Sequence, residues 1–475
     1  MAFQSLAYFL LMAASLLLMR YIRPVKVKQV LVLLFSLYFY AYGSGRQTLL
    51  FVGVILLTWL GGIWVARARG RSRLLRLWVI LLTTFSPLLL YKYMPFFAAE
   101  AGLESRFLSS LTLPIGISFY TFQSAGYVID VYRERMQPEK NPLVYACFVS
   151  FFPQLVAGPI ERADALMDQI RTLPKASDED YSQGFRCMLL GYTLKILVAD
   201  TAARFVDPVF SHIRIADGLT LLIGVVLFAI QIYCDFNGYS LIAIGSARMM
   251  GVRLTRNFDH PYRACTVTDF WRRWHISLTS WFRDYVYIPL GGNRKGKARQ
   301  VLNTLITFSV SGLWHGANWT FVVWGALNGA FIALEKVIGL RPRGRIARFF
   351  SYLYTMAAVC MAWMFFRADS LSLALSALKR IFTGTIPALL KITSLSRAIT
   401  FFKRAGWERF CVLPMMVAMV IYLLYEYGYL ARMDLTDRLH SRRAWVRWIW
   451  YILLLAATLY FGQTLEPGTF VYFRF

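Results

Sequence analysis

The chain has 475 residues, of which 58% are hydrophobic and only 16% are charged, whereas about 25% of the residues in an ordinary globular chain are charged. The formal net charge is +27, but the basic residues lie in short clusters between apolar runs, for example 67–76 and 294–299. This distribution follows the positive-inside rule of membrane proteins. It argues against nucleic-acid binding and favours contact with lipid head groups or an anionic cytosolic substrate.

Four apolar stretches of nearly membrane-spanning length occupy the N-terminal part of the chain. They are Ser5–Met19, Gln29–Tyr42, Leu49–Val65 and Leu77–Tyr93. We interpret the first as a membrane helix and not as a cleaved signal peptide, because it has neither a preceding basic region nor a small-residue cleavage site. Basic clusters follow the first and third stretches, which predicts an N-terminus outside the cytoplasm.

Two later segments combine apolar residues with proline and glycine. Leu111–Gln123 contains Pro114 and Gly116, and Phe151–Ile160 contains two prolines and a glycine. Because backbone groups freed by such residues need polar partners, we expect broken or re-entrant segments that line a protein interior. Helices around Met188–Ala203 and Leu221–Ile232 are predicted to follow.

The C-terminal part again shows apolar helices that mostly alternate as the basic loops require, and this places the C-terminus outside. They are predicted at Trp319–Val337, Phe349–Phe366, Cys411–Tyr427 and Trp448–Gly462. Leu371–Phe382 is a short amphipathic segment expected at the membrane interface. The chain has no internal repeat, which counts against a secondary transporter.

The stretch from Gln231 to Trp324 holds ionisable side chains between apolar segments, and such residues mark functional sites in membrane proteins. Within it, Trp271–Ile288 has helical spacing, with an aromatic stripe that includes His275. A polar ring on an apolar face needs a partner. Spacing alone leaves open whether His275 is a packing residue or a catalytic one.

His315 lies beside Gly316 in a sequence where two small-residue pairs, Gly312 with Gly316 and Gly325 with Gly329, allow helices to approach closely. Burial there favours the neutral imidazole, which is the form that a general base requires. A histidine that only bonds neighbouring helices is the alternative.

Asp235 ends an apolar run and is followed by Asn237, Tyr239 and Ser240. A carboxylate at such depth is usually paired, and we expect it to tie helix ends together through backbone amides. The remaining histidines (His212, His260 and His440) are expected to be solvated. The six cysteines form no C-x-x-C pair and the histidines no H-x-x-x-H pair, so we expect neither disulfides nor a metal site.

Several long motifs together resemble the membrane-bound O-acyltransferases (MBOAT), and within them the bacterial alginate O-acetyltransferase branch. The teichoic-acid D-alanyl transferase is a more distant relative. The motifs are Pro114–Gln123, Phe152–Ile160, Phe270–Leu278, Arg283–Gly292, Gly312–Ala317 and the tail Phe470–Phe475. The chain departs from the branch at Asn237 and Leu241, where the branch often has serine and aspartate.

The resemblance implies an all-α polytopic membrane protein, a ring of roughly 10–12 transmembrane helices around a thinned centre with short amphipathic or re-entrant helices. The whole chain would form one integral-membrane domain. Residues 1–95 would supply N-terminal helices, 107–340 the catalytic core and 349–475 C-terminal helices. Funnels from both faces would meet near the active histidine.

The resemblance also implies roles for individual residues. His315 matches the histidine common to the family, and His275 matches a second polar position that is asparagine in many eukaryotic members. His315 would act as general base, and His275 would orient the acyl group or stabilise the oxyanion. Donor or acyl binding would fall to Arg272, Arg273, Trp274 and Asn318, and polar support to Asp235, Tyr239, Asp269 and Asp284.

The activity so implied is acetyl transfer from acetyl-CoA in the cytosol to an extracellular polysaccharide such as alginate. It would take place in the bacterial inner membrane, without a metal, together with an extracytoplasmic acceptor protein and membrane lipids. The alternative hypothesis is a polytopic exporter or flippase for a glycan or lipid, in which the polar residues would line a translocation path.

Overall fold

A computed structural model describes residues 3–464 except 104, 157, 406, 408–411 and 427–442. The described residues are mainly helical, and they contain no β-strand. The chain divides into two compact units: Met1–Met188 with Tyr239–Asn257, and Leu189–Gly238 with Phe258–Phe475. The all-α fold expected from the sequence is confirmed. The aromatic tail at 470–475 and His440 lie outside the described residues.

The α-helices follow one another along the chain. They are α1 (Leu6–Tyr21), α2 (Val25–Ser44), α3 (Thr48–Ala66), α4 (Gly70–Leu88), α5 (Met94–Glu100), α6 (Arg106–Ser109), α7 (Ile117–Tyr132), α8 (Pro142–Ser150), α9 (Ala163–Thr172), α10 (Asp178–Tyr192), α11 (Asp200–Ser211), α12 (Gly218–Met249), α13 (Val267–Arg273), α14 (Ile276–Phe282), α15 (Gly296–His315), α16 (Trp319–Ile338), α17 (Arg345–Arg367), α18 (Leu371–Leu390), α19 (Leu395–Arg404), α20 (Val412–Glu426) and α21 (Ala444–Thr464). Turns of π-helix follow α4, α10 and α14, at Leu89–Tyr93, Thr193–Ala199 and Arg283–Tyr287.

Six helical stretches among the described residues are long and apolar enough to cross a membrane. They are Val25–Ala66, Gly70–Glu100, Gly218–Met249, Trp319–Ile338, Arg345–Arg367 and Leu371–Leu390. Large apolar side chains such as Leu34, Leu56 and Leu82 are exposed on these helices, as lipid contact requires and as water would penalise. The protein is therefore a multi-pass membrane protein, and the apolar helices predicted at both ends of the chain are confirmed.

Both proline–glycine segments of the first unit interrupt its helices, as predicted. Gly116 has a φ of +71° and directly precedes α7. A side chain at this position would press against the carbonyl oxygen of Leu155, so only glycine suits both the backbone angle and the close approach. Most residues of α7 are buried, and Phe151 and Phe152 of the second segment are fully buried, so these segments line the interior of the unit.

The α15–α16 hairpin in the second unit is held by the small residues singled out in the sequence. A Cβ atom at Gly312 would collide with the carbonyl oxygen of Phe321, and one at Gly325 with that of Phe308. Glycine therefore lets the two backbones touch. Helix α15 itself was missed by the sequence analysis, because it starts with basic residues and buries polar ones, including Asn303 and Thr307.

The prediction of one continuous helix over Trp271–Ile288 is wrong. Helix α13 ends at Arg273, Trp274 is extended, His275 has a φ of +43°, and α14 begins at Ile276. A left-handed residue just after the last helical turn is a common way to end a helix. Two short helices keep nearly the same spacing of apolar residues as one long helix, so periodicity could not reveal the break.

Two other helix ends also differ from the predictions. Asp235 does not end a helix, because α12 continues to Met249. The polar residues that suggested an end, Asp235, Asn237 and Ser240, are buried inside the helix, where protein neighbours replace lipid. Helix α18 extends to Leu390 and is longer than the predicted Leu371–Phe382 segment, and it contains Pro387.

Candidate active site

His315 is the last residue of α15 and is buried among aromatic rings. The centre of its imidazole lies 4.9 Å from the Trp324 ring and 5.5 Å from that of Phe366, both nearly perpendicular to it. The adjacent Gly316 is extended, and a Cβ atom there would enter the ring of Phe321. Backbone and ring packing thus hold this imidazole in one place.

His275 is fully buried at the break between α13 and α14. Its ring centre lies 4.7 Å from that of Phe236. A left-handed conformation at a residue other than glycine costs on the order of 1 kcal/mol and persists only where the surroundings impose it. Burial lowers the pKa of His275 from 6.5 to about 3, so the ring is neutral near pH 7.

Trp314 connects the two histidines. Its ring centre lies 4.8 Å from that of His315 and 6.2 Å from that of His275. The two predicted catalytic residues, one at the break after α13 and the other at the end of α15, are 40 positions apart in the sequence, yet they pack on the same indole. The structure therefore brings them into a single aromatic cluster.

A cavity of about 320 Å³ lies in the second unit beside this cluster. Three of its lining residues are cationic and none is acidic, so the cavity suits an anionic ligand. Its other lining residues are apolar or carry hydroxyl groups. The lining comprises Thr268, Trp271, Arg272, Leu278, Thr279, Phe282, Arg283, Tyr287, Thr304, Thr307, Phe308, Ser311, Ile332 and Lys336.

The cavity follows the face of α15 that leads to His315. Thr304, Thr307, Phe308 and Ser311 have the spacing of residues on one helix face and all line the cavity. His315 comes four residues after Ser311, about 6 Å further along the axis. Trp271 also lines the cavity, and the centre of its ring lies 5.6 Å from that of Trp324, the indole that packs on His315.

Of the four residues predicted to bind the donor, the structure places Arg272 at the cavity. Arg273 instead donates from Nε to Asp269 Oδ2 at 3.0 Å. Trp274 is buried and stacks on Phe270 at 5.4 Å, and Asn318 caps α16. Donor or acyl binding by these last three residues stays a prediction.

Asp235 is paired, as predicted, but with a different kind of group. Its Oδ1 lies 2.7 Å from Lys195 Nζ, and both side chains are buried. Lys195 also donates to Asp200 Oδ1 at 2.6 Å. The partner of Asp235 is therefore an ammonium group from the π-helical turn after α10, and not the expected backbone amides. The local sequence around Asp235 does not indicate this partner.

The other residues predicted to give polar support have separate roles. Tyr239 belongs to the first unit, where its ring centre lies 5.6 Å from that of Phe3. Asp269 binds Arg273, as described above. Asp284 is buried and accepts from Arg283 Nε at 2.8 Å. Since Arg283 lines the cavity, Asp284 holds a cation of the candidate site in place.

Sequence reasoning missed Lys336, although a charged residue near the end of an apolar helix is a signal for function. Lys336 lines the cavity, donates to Thr304 Oγ1 at 3.2 Å, and lies over the ring of Tyr287 at 5.5 Å. Glu335 and Asn328 of the same helix were also missed. Both are buried, and each contacts α13.

The expectation of three solvated histidines is partly wrong. His212 is exposed, as predicted. His260 is only partly exposed, because its Nδ1 lies 3.1 Å from the buried carboxylate of Glu426. Among the residues that the structure describes, no three histidine, cysteine or acidic side chains are grouped so that they could hold a metal ion.

Comparison with known proteins agrees with this arrangement. The MBOAT, membrane-bound O-acyltransferase family, matches residues 139–378, which include both histidines and the whole cavity lining. The probable alginate O-acetylase AlgI of Pseudomonas fluorescens is 38% identical over 79% of this chain and 74% of its own length. The peptidoglycan O-acetyltransferase of Helicobacter pylori is 33% identical over 72% of each chain.

A more distant relative is the teichoic acid D-alanyltransferase of Streptococcus thermophilus, which is 28% identical over 58% of this chain and 68% of its own length. The match to the family profile extends over half of the chain, and the acetyltransferase relatives are covered over more than two thirds of their lengths. This chain therefore belongs to the membrane-bound O-acyltransferase family and is an O-acyltransferase.

Proposed function

We propose that the chain takes an acetyl group from acetyl-CoA in the cytosol and passes it across the bacterial inner membrane for O-acetylation of an extracellular polysaccharide. Alginate and peptidoglycan appear in the names of its relatives, and alginate is the example we favour. The observation that carries the proposal is the cationic cavity that follows α15 to within one turn of His315.

Coenzyme A carries several negative phosphate charges, and the cationic lining of the cavity is suited to bind such a donor. Arg272 and Arg283 are exposed at the cavity, and Lys336 lies across it on α16. Guanidinium groups bind phosphates through paired hydrogen bonds. The apolar lining suits the rest of the donor arm, and the thioester would reach the histidines with only the acetyl group passing between the two aqueous sides.

The two histidines divide the chemistry. His315 takes the proton from the acceptor hydroxyl as its oxygen attacks the thioester carbonyl, and a tetrahedral intermediate forms. When the carbon–sulfur bond breaks, the imidazolium of His315 returns that proton to the leaving thiolate. His275 is neutral and has one N–H, which donates to the oxyanion. Such a donor is typically worth about 3–4 kcal/mol of transition-state stabilisation.

The acceptor is a hydroxyl presented from the extracytoplasmic side, carried by a partner protein that modifies the polysaccharide. Both termini of the chain lie on that side in this proposal, as the positions of the basic loops favour. Family membership supports acyl transfer over the exporter or flippase hypothesis.

Deleting the gene and analysing the secreted polysaccharide by mass spectrometry tests the proposal. We expect the acetyl content per sugar to fall to background while the amount of secreted polymer is kept, and the intact gene to restore acetylation. A loss of secreted polymer with unchanged acetyl content per sugar would instead indicate an exporter.

Replacing Arg272 by glutamine should raise the KM for acetyl-CoA about tenfold with a smaller change in kcat, because a charged hydrogen bond is worth about 1.5–3 kcal/mol. Thiol release from acetyl-CoA by membranes of the producing strain measures both constants. Arg345→Gln is the matched control, since it removes the same charge from an exposed position outside the cavity lining. An equal rise in KM for both variants would show that general surface charge, and not the cavity, attracts the donor.

A further inference from the structure

Glu335 is a buried carboxylate on α16 that binds the start of α13. Its two oxygens accept hydrogen bonds from the backbone N–H of Val267, from the backbone N–H of Thr268 at 2.8 Å, and from the Thr268 hydroxyl at 2.6 Å. The Glu335 side chain is almost completely buried. A buried carboxylate is costly unless its oxygens are well bonded, and these three donors supply that bonding.

Helix α13 depends strongly on these contacts, because it has only seven residues. The first N–H groups of a helix have no partner within the helix. Here Glu335 accepts from Val267 and Thr268, and Thr266 Oγ1 accepts from Asp269 N at 3.0 Å. The carboxylate also faces the positive end of the helix dipole. The hydrogen bonds within so short a helix could not fix its position alone.

A second contact joins α13 to α16 two turns earlier. Asn328 Oδ1 accepts from Trp271 Nε1 at 3.0 Å, and Asn328 Nδ2 donates to the carbonyl of Trp324 at 2.8 Å. Asn328 and Glu335 are seven residues apart and therefore lie on the same face of α16. That helix also carries Trp324, whose ring packs on His315. One helix thus contacts both α13 and the surroundings of His315.

We infer that Glu335 is a positioning residue for acyl transfer. By holding α13 in place, it fixes the position of Arg272 at the cavity. It also fixes the position of His275, at the break after this helix, relative to His315. The inference rests on the function proposed above. Glu335 itself does not contact the substrate in this inference. Its carboxylate acts only through α13, which carries a cation of the cavity and ends at the second histidine.

The variant Glu335→Gln tests this role, because glutamine has nearly the same shape but one acceptor oxygen and an NH2 group. That NH2 group cannot accept from a backbone N–H, so α13 loses part of its anchor. We expect kcat per folded molecule to fall at least tenfold and the KM for acetyl-CoA to rise a fewfold. Glu335→Asp, which keeps the carboxylate but is one methylene shorter, should retain more activity than Glu335→Gln.

The measurement is thiol release from acetyl-CoA by membranes of the producing strain, less the release in the deletion strain, per folded molecule. Glu426→Gln is the matched control, since Glu426 is an equally buried carboxylate of the same unit that accepts from Tyr233 and binds His260. We expect it to lower thermal stability and leave kcat per folded molecule within about twofold. An equal fall in both variants, or a fall explained by the folded fraction alone, would overturn the inference.

Hydrogen exchange of the purified protein gives a result that does not depend on activity. The amides of Val267 and Thr268 should be protected in the native chain and should exchange at least tenfold faster in Glu335→Gln. Unchanged exchange would refute the anchoring role. If exchange changes as expected but the native chain releases no thiol above the deletion strain, the positioning contact stands and the proposed function fails.

Discussion

Replacing His315 by alanine should reduce acetylation of the secreted polysaccharide by a factor of about 10²–10⁴, the usual contribution of a general base. The structure supports this expectation because His315 ends the helix face that the cavity follows and packs on Trp314, as His275 does. Acetyl content per sugar, measured by mass spectrometry, reports the effect. The amount of secreted polymer should not change.

Loss of folding has to be separated from loss of chemistry, since the imidazole is surrounded by aromatic rings. His315→Gln fills most of the space and keeps hydrogen-bonding capacity, but its amide cannot accept a proton at neutral pH, so it should be as inactive as the alanine variant. His212→Ala is the control, because His212 is an exposed histidine of the same unit. Acetylation that persists in both His315 variants would rule out a general base at this position.

The sequence was sufficient for features that depend on local composition. Apolar runs predict the membrane helices, because a helix in contact with lipid needs apolar side chains along its length and these raise the local hydropathy. The glycines of the α15–α16 hairpin predicted close helix packing, which the positions of Gly312 and Gly325 confirm. The sequence marks His315 and His275 as candidate functional residues because ionisable residues among apolar ones are costly, and the structure places both in one aromatic cluster.

Features that depend on distant partners could not be predicted in the same way. The pairing of Asp235 with Lys195 joins two separate helices, and the anchoring of α13 by Glu335 joins residues 67 or more positions apart. Helix α15 was missed because its buried polar residues lower its hydropathy. Some of them, such as Thr307, bond a carbonyl of the same helix, whereas others have a partner outside it. Asn303, for example, donates to the carbonyl oxygen of Gly292.

The break at His275 shows the limit of periodicity most clearly. The residue's φ of +43° turns the chain between α13 and α14, yet the apolar spacing continues across the turn. This geometry affects how His275 can be tested. Asparagine adopts the left-handed region more readily than other residues, whereas alanine would add backbone strain to the loss of the ring.

Replacing His275 by asparagine should lower kcat by roughly 10-fold, and replacing it by alanine by roughly 10²–10³-fold, the range seen when one oxyanion donor is removed. Asparagine keeps an N–H donor and suits the turn, so it should be the milder change. KM for acetyl-CoA should change little in both, because His275 is outside the cavity lining. Equal losses in the two variants would assign the effect to the imidazole alone and not to hydrogen-bond donation.

The pH dependence provides an independent check on the neutral state of His275. Burial lowers its pKa to about 3 from the ordinary 6.5, so the folded protein does not protonate this ring between those values while the unfolded chain does. His275 therefore costs no stability above pH 6.5, and its contribution to the free energy of unfolding falls by on the order of 1 kcal/mol per pH unit as the pH falls towards 3. His275→Asn should remove this acid destabilisation and leave the pH profile of kcat between pH 5 and 8 unchanged. Thermal unfolding and thiol release are measured across this pH range for the native chain and for the variant. If the substitution shifts the fall of kcat at low pH, His275 is not neutral in the native protein.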